Sequence, residues 1–210
     1  MVFVAYLLAV VATGWLIGSV PIGFLVCYYG FRVNPLKIGS GGIGETNVKR
    51  ALETVMSEQK AKKWAFGIQL LDQAKGLIPI LVVKHFGLPL LSVALLGCAL
   101  ILGHTFSVFL RFKGGKGVAT TMGIGLGLFW PSAIATYVCW YAIKKLLGKK
   151  TKEATAFASI FAGFLLCGLT LIFVLDKQFL LFYVYAAFHI LFAHKGNVKR
   201  FIEERHRAPT

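Results

Sequence analysis

Long apolar runs divided by short basic connections constrain this chain more than any other feature. Crossing a hydrocarbon core of about 30 Å takes roughly 20 apolar residues per helix. Seven candidate runs occur, at residues 2–29, 64–83, 88–103, 118–129, 131–143, 154–175 and 179–192. Hydrophobic residues make up 57% of the chain and mean hydropathy is +0.74, well beyond the roughly 45–50% apolar content of soluble domains. The pattern predicts an all-α integral membrane protein. With no internal repeat and no long linker, residues 1–210 are expected to form a single transmembrane domain.

Phe129-Trp130-Pro131 alone separates the fourth and fifth runs, so 118–143 reads either as two spans or as one kinked at the proline. The basic residues decide between them. Seven spans put 20 of the 23 Lys and Arg side chains on one side, leave only Lys84 and Lys177 on the other, and hold Lys75 within a span. The positive-inside bias then predicts seven transmembrane helices, the N-terminus outside and the C-terminus cytoplasmic. That count includes Lys144, Lys145, Lys149, Lys150, Lys152, Arg205 and Arg207. The first run lacks a basic n-region and a small-residue cleavage site, so it is expected to be a retained span, not a signal peptide.

A net charge of +15 would also suit a nucleic-acid binder, but such a protein concentrates its charge on a soluble fold, which this hydropathy excludes. Cys27, Cys98, Cys139 and Cys167 lie far apart inside apolar runs, without CxxC or Cys/His spacing. Neither a zinc site nor a disulfide framework is expected, and no cofactor is implied.

Four polar elements carry the chemistry. The first, residues 37–50, places Gly39, Gly41, Gly42 and Gly44 beside Ser40, Thr46, Asn47 and Arg50. Glycines let main-chain N–H groups approach an anion closely, and the hydroxyls, amide and guanidinium add donors. The spacing Gly39-x-Gly41-x-x-Gly44 matches a dinucleotide fingerprint, but no βαβ unit surrounds it, so that reading fails. A helix start near Thr46-Asn47 would supply further free N–H groups, and residues 46–63 would form an amphipathic helix at the membrane interface.

The second element is Asp72 with Lys75, three positions apart inside a span. They either neutralise each other or mark a polar cavity lined by Lys75 and Gly76. The third covers 103–120. Lys113 and Lys116 lie among Gly114, Gly115 and Gly117, but no Ser/Thr follows Lys116, so this is not a nucleotide-hydrolysing P-loop; a second anion cradle remains. His104, just before it, is either a packed interfacial histidine or a general base. The fourth is His194-Lys-Gly-Asn197-Val-Lys-Arg200, where the cations are either topology signals or arms that close over a phosphate.

Ser40-Gly-Gly-Ile-Gly-Glu-Thr-Asn-Val-Lys-Arg50, Lys75-Gly76-x-x-Pro79 and the long motif from Gly103-His104 to Gly114-Gly-Lys-Gly-Val-Ala-Thr120 resemble, in order and spacing, the three motifs of the bacterial acyl-phosphate:glycerol-3-phosphate acyltransferase family. The segment His194-x-x-Asn197-x-x-Arg200 is similar to that family's closing segment. The resemblance implies an enzyme of the bacterial inner membrane with its motifs facing the cytoplasm. It would move a fatty acyl group from acyl phosphate to the 1-hydroxyl of glycerol 3-phosphate, giving 1-acylglycerol 3-phosphate (lysophosphatidic acid) and phosphate. It further implies catalytic roles for His104, Ser40, Arg50, Lys116 and Asn197. Substrate-binding roles would fall to Gly41, Gly42, Gly44, Thr46, Asn47, Lys75, Gly76, Gly114, Gly115, Gly117, Thr120, His194 and Arg200. Two positions depart from the family pattern: Gly42, usually Asn, removes a donor, and Glu45, usually Ala, adds a negative charge beside a phosphate site.

An acyl phosphate is a mixed anhydride with a good leaving group, so such a protein needs chiefly to position two anions and stabilise developing charge. Ser40, Thr46 and the glycine N–H groups suit the acyl-phosphate phosphoryl group; Arg50, Lys116 and Asn197 suit glycerol 3-phosphate. Either His104 or a substrate phosphate oxygen would take the hydroxyl proton. No His-x-x-x-x-Asp spacing occurs, which counts against acyltransferases that use that dyad, and activity in EDTA is expected. The competing class is a transporter for a phosphorylated solute, which also uses broken helices; it would show an internal repeat and polar groups near the midplane.

Overall fold

The computed structural model describes residues 1–148, 153–174 and 177–207, and among these all regular structure is helical. Lys149, Lys150, Lys152 and Leu175 lie outside the described residues, as do the side chains of Lys177, Arg205 and Arg207. Two short helices, α2 (Ile22–Leu25) and α3 (Glu45–Leu52), and the terminal α9 (Lys195–Arg207) accompany six longer ones. These are α1 (Val2–Ser19), α4 (Glu58–His85), α5 (Leu90–Thr105), α6 (Val118–Gly148), α7 (Ala154–Val174) and α8 (Lys177–Ala193).

The first expected run is not one helix. Proline at 21 pushes the preceding residue out of the α region, and Val20 has φ −57° and ψ 112°. The carbonyls freed at this break find side-chain donors: Val20 O accepts from Lys75 Nζ at 3.0 Å and Ser19 O from Ser107 Oγ at 2.5 Å. The expected interfacial helix over 46–63 is also divided. Thr54 Oγ1 donates to Ala51 O at 2.7 Å as α3 ends, and a new helix starts after Ser57. Lys60, Lys62 and Lys63 therefore ride on the first turns of α4.

Helix α6 folds back on itself. Phe129 leaves helical geometry, at φ −151° and ψ 89°. A Cβ at Gly125 would lie 3.5 Å from that of Ala133, although eight residues of straight helix span about 12 Å. Val118 and Trp140 likewise line one cavity. The two-segment reading of 118–143 therefore describes the chain path, with Lys84 Nζ donating to the Gly127 carbonyl at 2.8 Å beside the break.

By length and composition, the described residues hold four helices able to cross a membrane. They hold five if Phe179–Ala193 and Lys195–Glu203, bent by 44°, count as one. Large apolar side chains on α1 and α4, among them Leu8, Leu16, Leu71, Ile78 and Leu81, stay exposed, as a hydrocarbon surround requires. Close backbone approach holds the bundle together, as small residues do in membrane interfaces. A Cβ at Gly18 would overlap Leu100 O across α1 and α5; one at Gly76 would overlap Thr120 O, and one at Gly123 would overlap Gln73 O, across α4 and α6. Ile80, Leu100, Ile124, Leu166, Phe182 and Tyr183 form the main core, and a second cluster joins Val48 and Leu52 of α3 to Ala61, Ala65 and Ile68 of α4.

Candidate active site

That second cluster aims α3. With its apolar face buried on α4, its first turn points into a cavity of about 430 Å³ at one end of the helices. Intrahelical bonding begins with Asn47 N to Gly44 O at 3.0 Å, so the N–H groups of Glu45 and Thr46 head the helix. The loop before it turns through left-handed backbone at Gly39 (φ 55°) and Gly41 (φ 68°). Its shape is held by Asn47, which is buried. Asn47 Oδ1 accepts from Ser40 N at 3.0 Å, while Nδ2 donates to Pro35 O at 2.9 Å and Gly42 O at 2.7 Å. Asn47 reaches the cavity, but its amide is committed to the loop and not left as a substrate donor. Ser40, Thr46 and Arg50 are exposed along the cavity wall.

The second cradle forms between α5 and α6. Gly115 N donates to His104 O at 3.0 Å, and a Cβ at Gly115 would overlap His104 Nε2. Gly117, at φ 79°, turns the chain into α6, whose first internal bond runs from Thr121 N to Gly117 O at 2.8 Å. Val118 and Ala119 at this helix start face the cavity. Two helix N-termini thus converge on one space, where partial positive charge favours anions.

The third wall comes from the chain after α8. His194 Nδ1 donates to Ile190 O at 2.8 Å, fixing its ring at the cavity edge. Asn197 Oδ1 accepts from Lys116 Nζ at 2.5 Å. Its Nδ2 donates to Glu153 Oε2, and Arg200 Nε donates to Glu153 Oε1 at 2.9 Å. Burial pushes the Lys116 ammonium down to about 8; Arg200 and Arg50 add to that and Glu153 opposes it. Burial alone would raise the Glu153 carboxyl, but hydrogen bonds from Arg200 and Asn197 outweigh it, and the group sits below its ordinary range.

At the cavity floor, Asp72 Oδ1 lies 2.8 Å from Lys75 Nζ and 3.6 Å from His104 Nδ1. Asp72 and Lys75 therefore pair. Lys75 is held between Asp72 and Val20 O and does not line the cavity. Four glycine and threonine assignments are corrected in the same way. Gly76 and Thr120 meet in the α4–α6 contact, Gly114 gives room to the His104 carbonyl, and Gly41 donates its N–H to Ile38 O at 3.0 Å within its own turn. None of them lines the cavity. Gly42, Gly44, Gly115 and Gly117 do, as do His104, Lys116, His194, Asn197 and Arg200.

A family model described as glycerol-3-phosphate acyltransferase matches residues 8–204. The chain belongs to the glycerol-3-phosphate acyltransferase family. Relatives of that name include one from Bradyrhizobium diazoefficiens, 34% identical over 93% of this chain and 91% of its own length. Another, from Geotalea daltonii, is 35% identical over 89% of each. Among solved structures, PlsY (YgiH), an integral membrane glycerol 3-phosphate acyltransferase, is similar in its glycerol 3-phosphate form, with a TM-score of 0.83 and 30% identity over 95% of this chain and 94% of that one. Its lysophosphatidic acid form has a TM-score of 0.78 at 29% identity, over 95% and 93%.

In this acyltransferase, several cavity residues escaped the sequence reading: Glu153, Trp140, Ser159 and Gln69. Trp140 Nε1 donates to Ser159 Oγ at 3.1 Å, joining the returning half of α6 to α7. Glu153 carried a faint signal, an acid ending a run of lysines, but its partner Asn197 is 44 residues away. Glu45, a departure from the family pattern, takes the first position of α3 and lines the cavity. Gly42 contributes its carbonyl to Asn47.

Proposed function

We propose that this acyltransferase moves a fatty acyl group from acyl phosphate to the 1-hydroxyl of glycerol 3-phosphate, releasing lysophosphatidic acid and phosphate. One observation carries the reading: a single cavity combines two helix N-termini with Arg50, Lys116 and Arg200, enough donors for two phosphoryl groups side by side. Ser40, Thr46 and the N–H groups at the head of α3 hold the acyl-phosphate phosphoryl group. Arg50, Lys116 and Asn197 hold glycerol 3-phosphate, with Arg200 and His194 at the rim.

The 1-hydroxyl oxygen attacks the acyl carbon, a carbon–oxygen ester bond forms, and the anhydride bond breaks with its electron pair leaving on phosphate. A phosphate oxygen takes the hydroxyl proton. The packing of His104, with Nδ1 toward Asp72 and Nε2 against Gly115, supports that assignment over a histidine base. Holding two reactants in line supplies much of the acceleration without a covalent enzyme intermediate. The apolar cleft among Phe24, Leu25, Tyr29, Phe109 and Leu110 offers the acyl chain a lipid-facing surface.

The enzyme crosses the bacterial inner membrane seven times, counting the two arms of α6 separately, with its N-terminus outside and its cavity facing the cytoplasm. The basic residues support this orientation: Arg50, Lys116 and Arg200 gather at the cavity end, and Lys84 lies at the far end of α4. Purified protein in detergent, given acyl phosphate and glycerol 3-phosphate, is expected to release phosphate and lysophosphatidic acid in equal amounts. No phosphate release, with solute uptake into liposomes instead, would overturn the reading in favour of transport.

A further inference from the structure

We propose that Glu153 is an internal competitor for the substrate phosphate: its carboxylate takes up donors that a phosphoryl group needs, and so sets the affinity for glycerol 3-phosphate. The inference rests on the acyltransferase reading above and adds a residue that nothing in the four polar motifs supplies.

Glu153 immediately precedes α7, and both of its carboxylate oxygens are turned to the cationic side of the cavity. Oε1 accepts from Arg200 Nε at 2.9 Å and Oε2 accepts from Asn197 Nδ2. Asn197 in turn accepts from Lys116 Nζ at 2.5 Å. One carboxylate at the start of α7 therefore reaches two other elements: α9 directly, and the second glycine loop through Asn197.

Guanidinium and amide donors arranged in this way recognise carboxylate and phosphate oxygens alike, and charge-assisted hydrogen bonds to either are the strong ones. A phosphoryl group entering here meets donors already satisfied by an anion of the protein's own. Binding is then an exchange in which the carboxylate yields Arg200 and Asn197 to the newcomer. The Glu153 side chain is only 12% exposed, whereas that of Arg200 is 49% exposed. The guanidinium is thus the partner free to swing toward a ligand while the carboxylate stays anchored at the head of α7.

A purely structural tie between α7 and α9 would leave the same contacts, but the two roles differ in sign. Removing a competitor tightens phosphate binding, and removing a tie loosens it. Removing the charge while keeping the shape, as in Glu153→Gln, tests this directly, with Glu153→Ala as a second variant. The Michaelis constant for glycerol 3-phosphate is measured at pH 6.5, where Lys116 stays protonated, beside the inhibition constant for inorganic phosphate.

Both constants are expected to fall about tenfold in both variants, the effect of one charge-assisted hydrogen bond returned to the ligand. The turnover number should hold or drop as product phosphate leaves more slowly. Constants that stay unchanged or rise, or two variants that both fail to fold, would overturn the proposal and make Glu153 a tie. Calorimetric titration of inorganic phosphate keeps the two readings apart. An inactive wild type whose Glu153→Gln variant still binds phosphate more tightly would sink the acyltransferase reading alone.

Discussion

Replacing Asn47 by alanine separates a loop fastener from a substrate donor. The side chain makes three hydrogen bonds, to Ser40 N, Pro35 O and Gly42 O, all between 2.7 and 3.0 Å. At a net value of about 1 kcal/mol each, their loss weakens the closed loop by about 3 kcal/mol. The local turns, such as Gly41 N to Ile38 O, remain but do not tie the loop to α3. A change of that size raises the open population about a hundredfold. Hydrogen exchange on the substrate-free protein in detergent should therefore speed up by up to about that factor at residues 35–42, while the middle of α5 is unaffected. Acyl transfer, measured as kcat/KM for glycerol 3-phosphate, should fall only in proportion to the closed fraction that remains, because Ser40 and the N–H groups heading α3 lose their relative placement when the loop opens. Asn47→Asp should act in the same direction, since it turns an oxygen toward the Pro35 and Gly42 carbonyls. Exchange that matches the wild type, together with a rise in KM alone, would refute the fastener role and return Asn47 to the substrate.

A half-buried Lys116 held down at about 8 predicts a fall in kcat/KM above that pH, because deprotonation removes a cation from the proposed phosphate site. Lys116→Arg should abolish the alkaline fall whatever its effect on amplitude, and a fall that persists would exclude Lys116 as its source. The same shift means that the unfolded chain holds more protons between about 8 and 10.5, so this residue favours folding increasingly as pH rises through that window. Gly123→Leu should lower the melting temperature, since any Cβ there meets Gln73 O and overpacking costs about 1–3 kcal/mol, whereas Gly67→Ala enters open space and should not. Equal melting of the two would undo the account of α4–α6 contact. His104→Gln should reduce amplitude but keep the shape of the pH profile, and a lost acidic limb would make histidine the base after all.

The length of the apolar runs made the helical membrane fold legible, and glycine-rich spacing made both anion cradles legible, because these are local patterns that neighbouring residues impose. The reversal at Phe129 was legible too, since Trp130-Pro131 interrupts an apolar run and the basic residues favour two segments. What escaped was the division of labour among polar side chains. Lys75 and Asn47 looked alike as candidate ligand donors, yet Pro21 frees a carbonyl that claims the first and a tight loop claims the second. Gly76 and Thr120 belong to motifs but serve a helix contact.

By itself, then, the order of residues determined that the chain is helical, which stretches are apolar enough for lipid, and which segments are rich in donors, but not where every helix breaks. Only the tertiary structure decided which donors remain available, because a polar group is spent or free according to partners that lie far away in sequence. Glu153 is the clearest case: 44 and 47 residues separate it from Asn197 and Arg200. No local rule couples them, and only the packing of α7, α8 and α9 brings the carboxylate to the Asn197 and Arg200 donors at the cavity.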